Sequence, residues 1–150
     1  MSVPTAIENQ IIDQLVVELM KIGTPPTSWN TTPEPVVVDV PGEAVIITTK
    51  PKLYVQVAST DPNMPAAPAS THRWRTTFNI WMVDKDMRGV IQLKSDVLRA
   101  IYAAEPTFFT MFQSMPFPTS FSLNNSMNTG GSWLGLQQVQ IDYETSHTSP

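Results

Sequence analysis

Residues that commonly bind metals or act as nucleophiles are few in this sequence and are not placed together. The chain has two histidines, His72 and His147, and no cysteine. One histidine begins a strand-like segment and the other lies in the C-terminal tail, an arrangement that does not indicate a zinc site. Asp84 and Asp86 could offer oxygen ligands to a cation, but helix capping explains them better. We therefore expect no metal and no cofactor.

The arrangements that support nucleophilic catalysis or phosphate binding are also missing. No serine lies in a Gly-x-Ser-x-Gly turn. Gly130-Gly131 is the only pair of adjacent glycines, and it lies between two strand-like segments rather than before a helix. The few carboxylates form no pair with assignable acid and base roles. We therefore expect a protein that is not an enzyme, with a small enzyme or ligand-binding domain as the alternative from another functional class.

Arg73 and Arg75 are better candidates for a binding role, because they project from the same face of a strand-like segment. Lys85 and Arg88 lie just beyond them. Such a group could contact a partner or passing DNA. Binding to a nucleic-acid backbone usually draws on many basic groups, however, and the net charge of this chain is −4. A solvated strand face or a salt bridge between subunits is the favoured interpretation.

Composition limits the class of protein further. At 150 residues, the chain has the usual size of one domain. Charged residues make up only 15%, below the roughly 25% of an average domain, which suits a subunit that packs against others. The lack of cysteine excludes a disulfide framework. Because we find no signal peptide and no apolar run near the roughly 20 residues of a membrane span, we expect a soluble intracellular protein.

One segment organises the predicted elements. Residues 72–83 alternate with the period of a strand that has one face on a core. Residues 84–86 then end the strand and offer a helix cap. A predicted helix follows and ends near Ala104. Its apolar stripe consists of Met87, Val90, Ile91, Lys94, Val97, Leu98 and Ile101.

The remaining regular elements flank this unit. An amphipathic helix is predicted over residues 4–22 and is ended by Gly23 and the prolines after it. In the loop that follows, Trp29 is expected to cover the edge of the core or, alternatively, to anchor an interface. Residues 145–150 are expected to be a frayed tail. The predicted strands cover residues 36–40, 44–48, 52–58, 119–127 and 132–144, and the last two form a C-terminal β-hairpin.

Two segments fit no regular element. Residues 59–71 contain three prolines and three alanines and exceed a hairpin loop in length, so they are either disordered or an arm that orders against a neighbouring subunit. Residues 107–118 contain four Phe and two Met without clear periodicity, so they are either a loop folded over the core or a subunit contact. The candidate subunit-interface residues are Phe108, Phe109, Phe112, Met115, Phe117, Met64, Arg73 and Arg75.

The order of these elements predicts an α+β fold, because helices and mostly antiparallel strands are segregated along the chain. We expect a mixed or mostly antiparallel sheet with two helices packed on one face and a C-terminal β-hairpin. All of residues 1–150 are expected to belong to this single domain.

The layout resembles that of the tail terminator, or tail completion, proteins of long-tailed bacteriophages. In both, an N-terminal helix, here residues 7–22, precedes a Pro-rich segment and a valine-rich strand. A long loop then leads to an Arg-bearing strand, here residues 73–83. That strand runs into a helix with an internal Asp-Val-Leu, here residues 96–98, and a β-hairpin closes the domain. The resemblance spans nearly the whole chain.

This resemblance implies a structural protein of the virion. Such proteins form a ring, typically hexameric, at the head-proximal end of the tail tube, where they end tube polymerisation and join the tail to the head. The implied partners are other copies of the chain, the tail tube protein and a head-completion or neck protein. DNA would only pass through the lumen, no membrane would be involved, and assembly would occur in the host cytoplasm. A head-completion or neck adaptor protein is the alternative within this class.

A cyclic ring has a heterologous interface, so two different patches of one chain must match. Residues 107–118 and residues 59–71 are the candidates for these patches.

Overall fold

The computed structural model describes residues 6–41, 50–62, 71–125 and 132–146. In this part of the chain, five strands form one sheet and three helices accompany it. In chain order the elements are α1 (Ile7–Leu19), β1 (Val37–Val38), β2 (Lys52–Pro62), β3 (Thr71–Asp84), α2 (Met87–Ala103), α3 (Glu105–Phe112), β4 (Phe117–Asn125) and β5 (Trp133–Ser146).

The sheet has the order β1-β2-β3-β5-β4. β1 runs parallel to β2, whereas the pairs β2–β3, β3–β5 and β4–β5 are antiparallel. The sheet is therefore mixed and mostly antiparallel, and β4 and β5 form the closing hairpin. These features confirm the predicted α+β class, with one helix more than expected.

β3 is the central strand, and it confirms the predicted strand-to-helix unit. It pairs with β2 on one side and with β5 on the other. Phe78, Ile80 and Met82, which alternate along it, are fully buried in the core. Beyond the strand, the Asp86 carboxylate accepts a hydrogen bond of 2.6 Å from the backbone N–H of Gly89, so Asp86 caps α2 as predicted.

α1 and α2 provide the helical side of the core. α1 packs near β2, whereas α2 packs over β3 and β5. The single wide stripe predicted for α2 is divided: Val90 and Val97 are fully buried, whereas Met87 and Ile91 are about 40% exposed (41% and 42%). A straight helix faces the sheet with only part of its circumference, so a broad apolar stripe cannot be covered completely.

No helix in the described ranges is long and apolar enough to cross a membrane.

The prediction that residues 107–118 form a loop is wrong for their first half, which belongs to α3. The predicted end of α2 near Ala104 is confirmed, since α2 ends at Ala103, but Pro106 then lies in the first turn of α3, where proline needs no hydrogen-bond donor. α3 ends at Gln113, whose φ of 56° is left-handed. Eight residues make only about two helical turns, too few for the helical period to stand out in the sequence.

Strand boundaries also differ from the predictions. β2 continues to Pro62 and β3 begins at Thr71, so both ends of the predicted arm are strand. Residues 63–70, which include Met64, lie outside the described residues. At the C-terminus, Thr145 and Ser146 belong to β5 and pair with β3, so the predicted tail is not frayed there.

Three other predictions concern the first half of the chain. α1 begins at Ile7, and residues 1–5 lie outside the described residues. β1 is much shorter than the predicted strand over residues 36–40. The strand predicted over residues 44–48 also lies outside the described residues.

The loop after α1 is held against α2 by a buried carboxylate. Asp96 is almost fully buried, and its oxygens accept hydrogen bonds from the backbone N–H groups of Asn30 and Thr31 and from the Thr31 hydroxyl. Arg99 lies over the ring of Trp29 at 5.2 Å, and Trp29 packs against the core. Trp29 therefore covers the core edge, which was the first of its two predicted roles.

Candidate interface surfaces

The described residues offer surfaces rather than a cluster of reactive groups. Among them, no group of three or more His, Cys, Asp or Glu side chains could hold a metal ion. Within the same ranges, every buried side-chain nitrogen or oxygen has a hydrogen-bond partner. A shallow depression on the outer side of α2 is lined by Ile91, Lys94, Ser95, Leu98, Arg99 and Tyr102. It contains no carboxylate, imidazole or thiol.

The sheet face opposite the helices carries a chain of hydrogen-bonded polar side chains across four strands. The Ser120 hydroxyl donates to the Gln138 amide oxygen (3.0 Å), and the Gln138 amide nitrogen donates to Asn79 (3.1 Å). Asn79 in turn donates to Gln56 (3.1 Å), which also accepts from the Trp81 indole N–H. The amides of Gln138 and Asn79 each donate and accept, which fixes their orientation, and the Gln56 oxygen accepts two of the hydrogen bonds. We call this face the open face.

Arg73 and Arg75 lie on the open face, and the structure pairs both of them within the chain. Arg73 forms one hydrogen bond of 2.9 Å to Glu144. Arg75 forms two, of 2.7 and 3.0 Å, to the two oxygens of Asp142, a bidentate geometry that fixes direction. These hydrogen bonds raise the pKa of the Arg75 guanidinium. Its carbon also lies 5.4 Å from the centre of the Phe117 ring, so two predicted interface residues are in contact.

The aromatic residues of α3 divide between the core and the surface. Phe108 is 0% exposed, whereas its neighbour Phe109 is 57% exposed. Phe112 is partly buried against the core, and its ring lies 5.8 Å from that of Phe108. Phe108 was a candidate interface residue, but in this chain it anchors α3 to the core because helical geometry turns it inward. It therefore presents no area to a second subunit.

The exposed members of this region form what we call the α3–β4 surface: Phe109, Met111, Met115 and Phe117. Residues 106–141 contain no charged side chain. β4 is an edge strand, and no described strand pairs with its outer side. Natural edge strands commonly carry charges that prevent association, so an uncharged edge beside exposed Phe and Met is typical of a contact surface. The gap in charge could have been read from the sequence but was missed there.

Comparisons with known proteins give a likeness in structure only. No family model matches the sequence, and no curated protein matches it. Among solved structures, the chain is similar to the sheath/tube terminator of an extracellular contractile injection system (PVC), determined by cryo-EM in the extended state. The TM-score is 0.58 with 11% sequence identity, and the match covers 100% of this chain but 61% of the neighbour. The chain therefore has an α+β fold similar to that of a sheath/tube terminator.

Proposed function

We propose that this chain is a structural subunit of the tail-terminator type, which assembles into a ring at the end of a tube. The observation that carries this proposal is the likeness to a sheath/tube terminator over 100% of the chain. The chain spans only 61% of that neighbour, so the proposal concerns the terminator role and not every contact of the larger protein.

The more specific form of the proposal is a bacteriophage protein. In this form, a hexameric ring lies at the head-proximal end of the tail tube, ends tube polymerisation and joins the tail to a head-completion protein. DNA passes through its lumen, and the ring assembles in the host cytoplasm before it becomes part of the virion. A neck adaptor is the closest competing role, because it would also form a ring on the same axis.

The α3–β4 surface supports an assembling role through its chemistry. Phe109 and Met111 are about half exposed, and no charged residue lies between residues 106 and 141. Burying such a surface removes apolar area from water and pays no penalty for desolvating an unpaired charge. Methionine side chains also adapt easily to the shape of a partner.

The open face supports the proposal in a different way. Its amide chain and its two Arg–carboxylate pairs cross-link neighbouring strands on the side that none of the described helices covers. A ring subunit must keep its shape while its neighbours bind, and satisfied polar networks restrict the side chains that form them.

The proposal is tested by native mass spectrometry and negative-stain imaging of the purified protein over a range of concentrations. We expect a closed ring with an open lumen. Phe109→Ser should abolish the ring and leave the circular dichroism spectrum unchanged, because the side chain is largely exposed. Tyr102→Ser changes an equally exposed aromatic residue on α2 (53%) and is the matched control, for which we expect the ring to persist.

Phe112 is less suitable for this test, because it packs against the core and its loss would alter the fold as well. A compact dimer at every concentration would contradict the ring. A monomer whose melting temperature rises by several degrees with one small molecule would favour the ligand-binding alternative.

A further inference from the structure

A head-to-tail ring needs a second surface that matches the α3–β4 surface. The residues that follow the loop after α1 provide a candidate: Val37, Val38 and Val40 are all exposed. We call these three residues the β1 edge. It lies at one end of the sheet, whereas β4 lies at the opposite end.

In the part of the chain that the structure describes, the valines of the β1 edge are exposed on both faces of the sheet. Val37 is paired with Tyr54 and Val38 with Val55, so the two valines point to opposite faces. Val37 is 46% exposed and Val38 is 54% exposed, so the side chain of each valine is accessible on its own face of the sheet. Single exposed apolar residues are common on proteins, but consecutive valines on an edge strand favour association with another chain.

α1 adds to the apolar character of this half of the molecule. It packs near β2, the neighbour of β1. Val17 on its outer side and Met20, which follows its last residue, are each about half exposed (52% and 50%). The exposed apolar residues of the described chain are therefore concentrated on the β1 half and on the α3–β4 half, with a smaller group on the outer side of α2.

We infer that the β1 edge of one copy of this chain packs against the α3–β4 surface of the next copy. This inference rests on the proposed function, because it names the two patches that a ring requires. It replaces residues 59–71 as the second patch. The occupant of each surface is thus a second copy of the same chain, and the contact is heterologous.

Strand directions make this contact geometrically consistent. β1 is parallel to β2, and three antiparallel pairings then connect β2 to β4 through β3 and β5. β4 therefore runs opposite to β1. When two copies follow each other with their helices on the same side, β4 of the first copy meets β1 of the second in the antiparallel direction, which is the more stable kind of pairing.

A charged side chain lies beside each surface. Asp39 is exposed next to the valines of β1. Arg75 lies over Phe117 at 5.4 Å at the other surface. Arg75 is paired with Asp142 within the chain, so the α3–β4 surface presents no unpaired charge there and no like-charge repulsion with Asp39 opposes the contact.

The chain contains no cysteine, so introduced cysteines give a clean test. Val38→Cys and Met111→Cys are made as separate variants, mixed, and oxidised under mild conditions. We expect a disulfide-linked dimer that contains one copy of each variant, with little dimer from either variant alone. Val38→Cys mixed with Ser95→Cys, whose cysteine lies on the exposed side of α2, is the matched control and should give none.

The double variant Val38→Cys, Met111→Cys should give a covalent ladder that ends in a closed species of the ring's size. Absence of the mixed dimer up to the highest soluble concentration would overturn the inference, and so would efficient dimers from either single variant. Native mass spectrometry of the unmodified chain separates the two proposals. If the chain forms a ring but the mixed disulfide does not form, the proposed function is retained and the contact between the β1 edge and the α3–β4 surface is refuted. If the disulfide forms but the assemblies are open filaments, the contact is retained and the ring is refuted.

Discussion

The two faces of the sheet are built from alternate residues of the same strands, yet they are stabilised in different ways. The face under the helices is closed by apolar packing: Phe78, Ile80 and Met82 of β3 are fully buried. The residues between them on the open face include Asn79, which joins hydrogen-bonded amides from β2 and β5. Packing is non-directional and collectively strong, whereas the open face depends on a few directional bonds of modest net strength.

This difference assigns separate tasks to the two faces. The covered face determines whether the chain folds, and the open face determines how rigid the uncovered side is. The contact surfaces that we propose for assembly include the two edge strands of the sheet, where Val38 of β1 and Phe117 of β4 are exposed. Substitutions should therefore separate folding, local rigidity and assembly.

The largest effect is expected on the covered face. Phe78→Ala removes a fully buried ring and should lower the free energy of unfolding by about 3–5 kcal/mol, because it leaves a cavity in the core. Urea denaturation monitored by circular dichroism measures this change. Phe109→Ala is the control and should stay within about 0.5 kcal/mol of the unmodified chain. Equal effects of the two changes would refute the assignment of the core.

An intermediate effect is expected at Gly135 of β5, against which Val90 of α2 packs. A Cβ atom added to Gly135 would lie 2.5 Å from Cγ1 of Val90 and 3.1 Å from Cε2 of Phe121. Gly135→Ala should therefore cost about 1–3 kcal/mol through overpacking, as measured by the same denaturation. The double variant with Val90→Ala should recover part of the loss, because it removes the atom that clashes. No recovery would mean that the backbone, rather than the contact, requires glycine.

A smaller effect is expected on the open face. Asn79→Ala removes one hydrogen bond to Gln56 and one from Gln138, and should cost about 2 kcal/mol at about 1 kcal/mol for each bond. Hydrogen exchange should show faster opening of the β2–β3 and β3–β5 pairs near this residue. Asn124→Ala changes an exposed amide of β4 outside this network and should have little effect on either measurement.

The smallest effect is confined to alkaline pH and involves one tyrosine on each face. Burial raises the pKa of Tyr143, whose hydroxyl is hydrogen-bonded to Thr76, and burial together with Asp39 raises the pKa of Tyr54. The unfolded chain ionises first, near its ordinary pKa of about 10. The stabilisation is therefore complete below about pH 10 and is lost as the pH rises through the folded-state pKa.

Thermal unfolding between pH 8 and 11 tests this expectation. The melting temperature should be level at first and fall above about pH 10, and Tyr143→Phe and Tyr54→Phe should each make that fall less steep. Comparing the two variants shows which face contributes more to the alkaline loss. A fall that is unchanged in both variants would show that other groups cause it.

Much of the fold could be predicted from the sequence, because the signals for these elements are local. The alternation along β3, the cap at Asp86 and the core-covering position of Trp29 each depend on a few neighbouring residues. The exposure of the candidate interface residues could not be predicted in the same way. Phe108 and Phe109 are chemically identical neighbours, and only the orientation of α3 places one of them in the core and the other at the surface.

The sequence by itself determined the period of each long element, and with it the α+β class. Tertiary structure decided the features that depend on residues far apart in the chain. Asp96 meets Asn30 and Thr31 across some sixty-five residues, and the amide chain exists only because strand register aligns Gln56, Asn79 and Gln138. Likewise, only the strand order puts the valines of β1 and Phe117 of β4 at opposite ends of the sheet. Local periodicity does not encode register or strand order, because both are fixed by the packing of the whole chain.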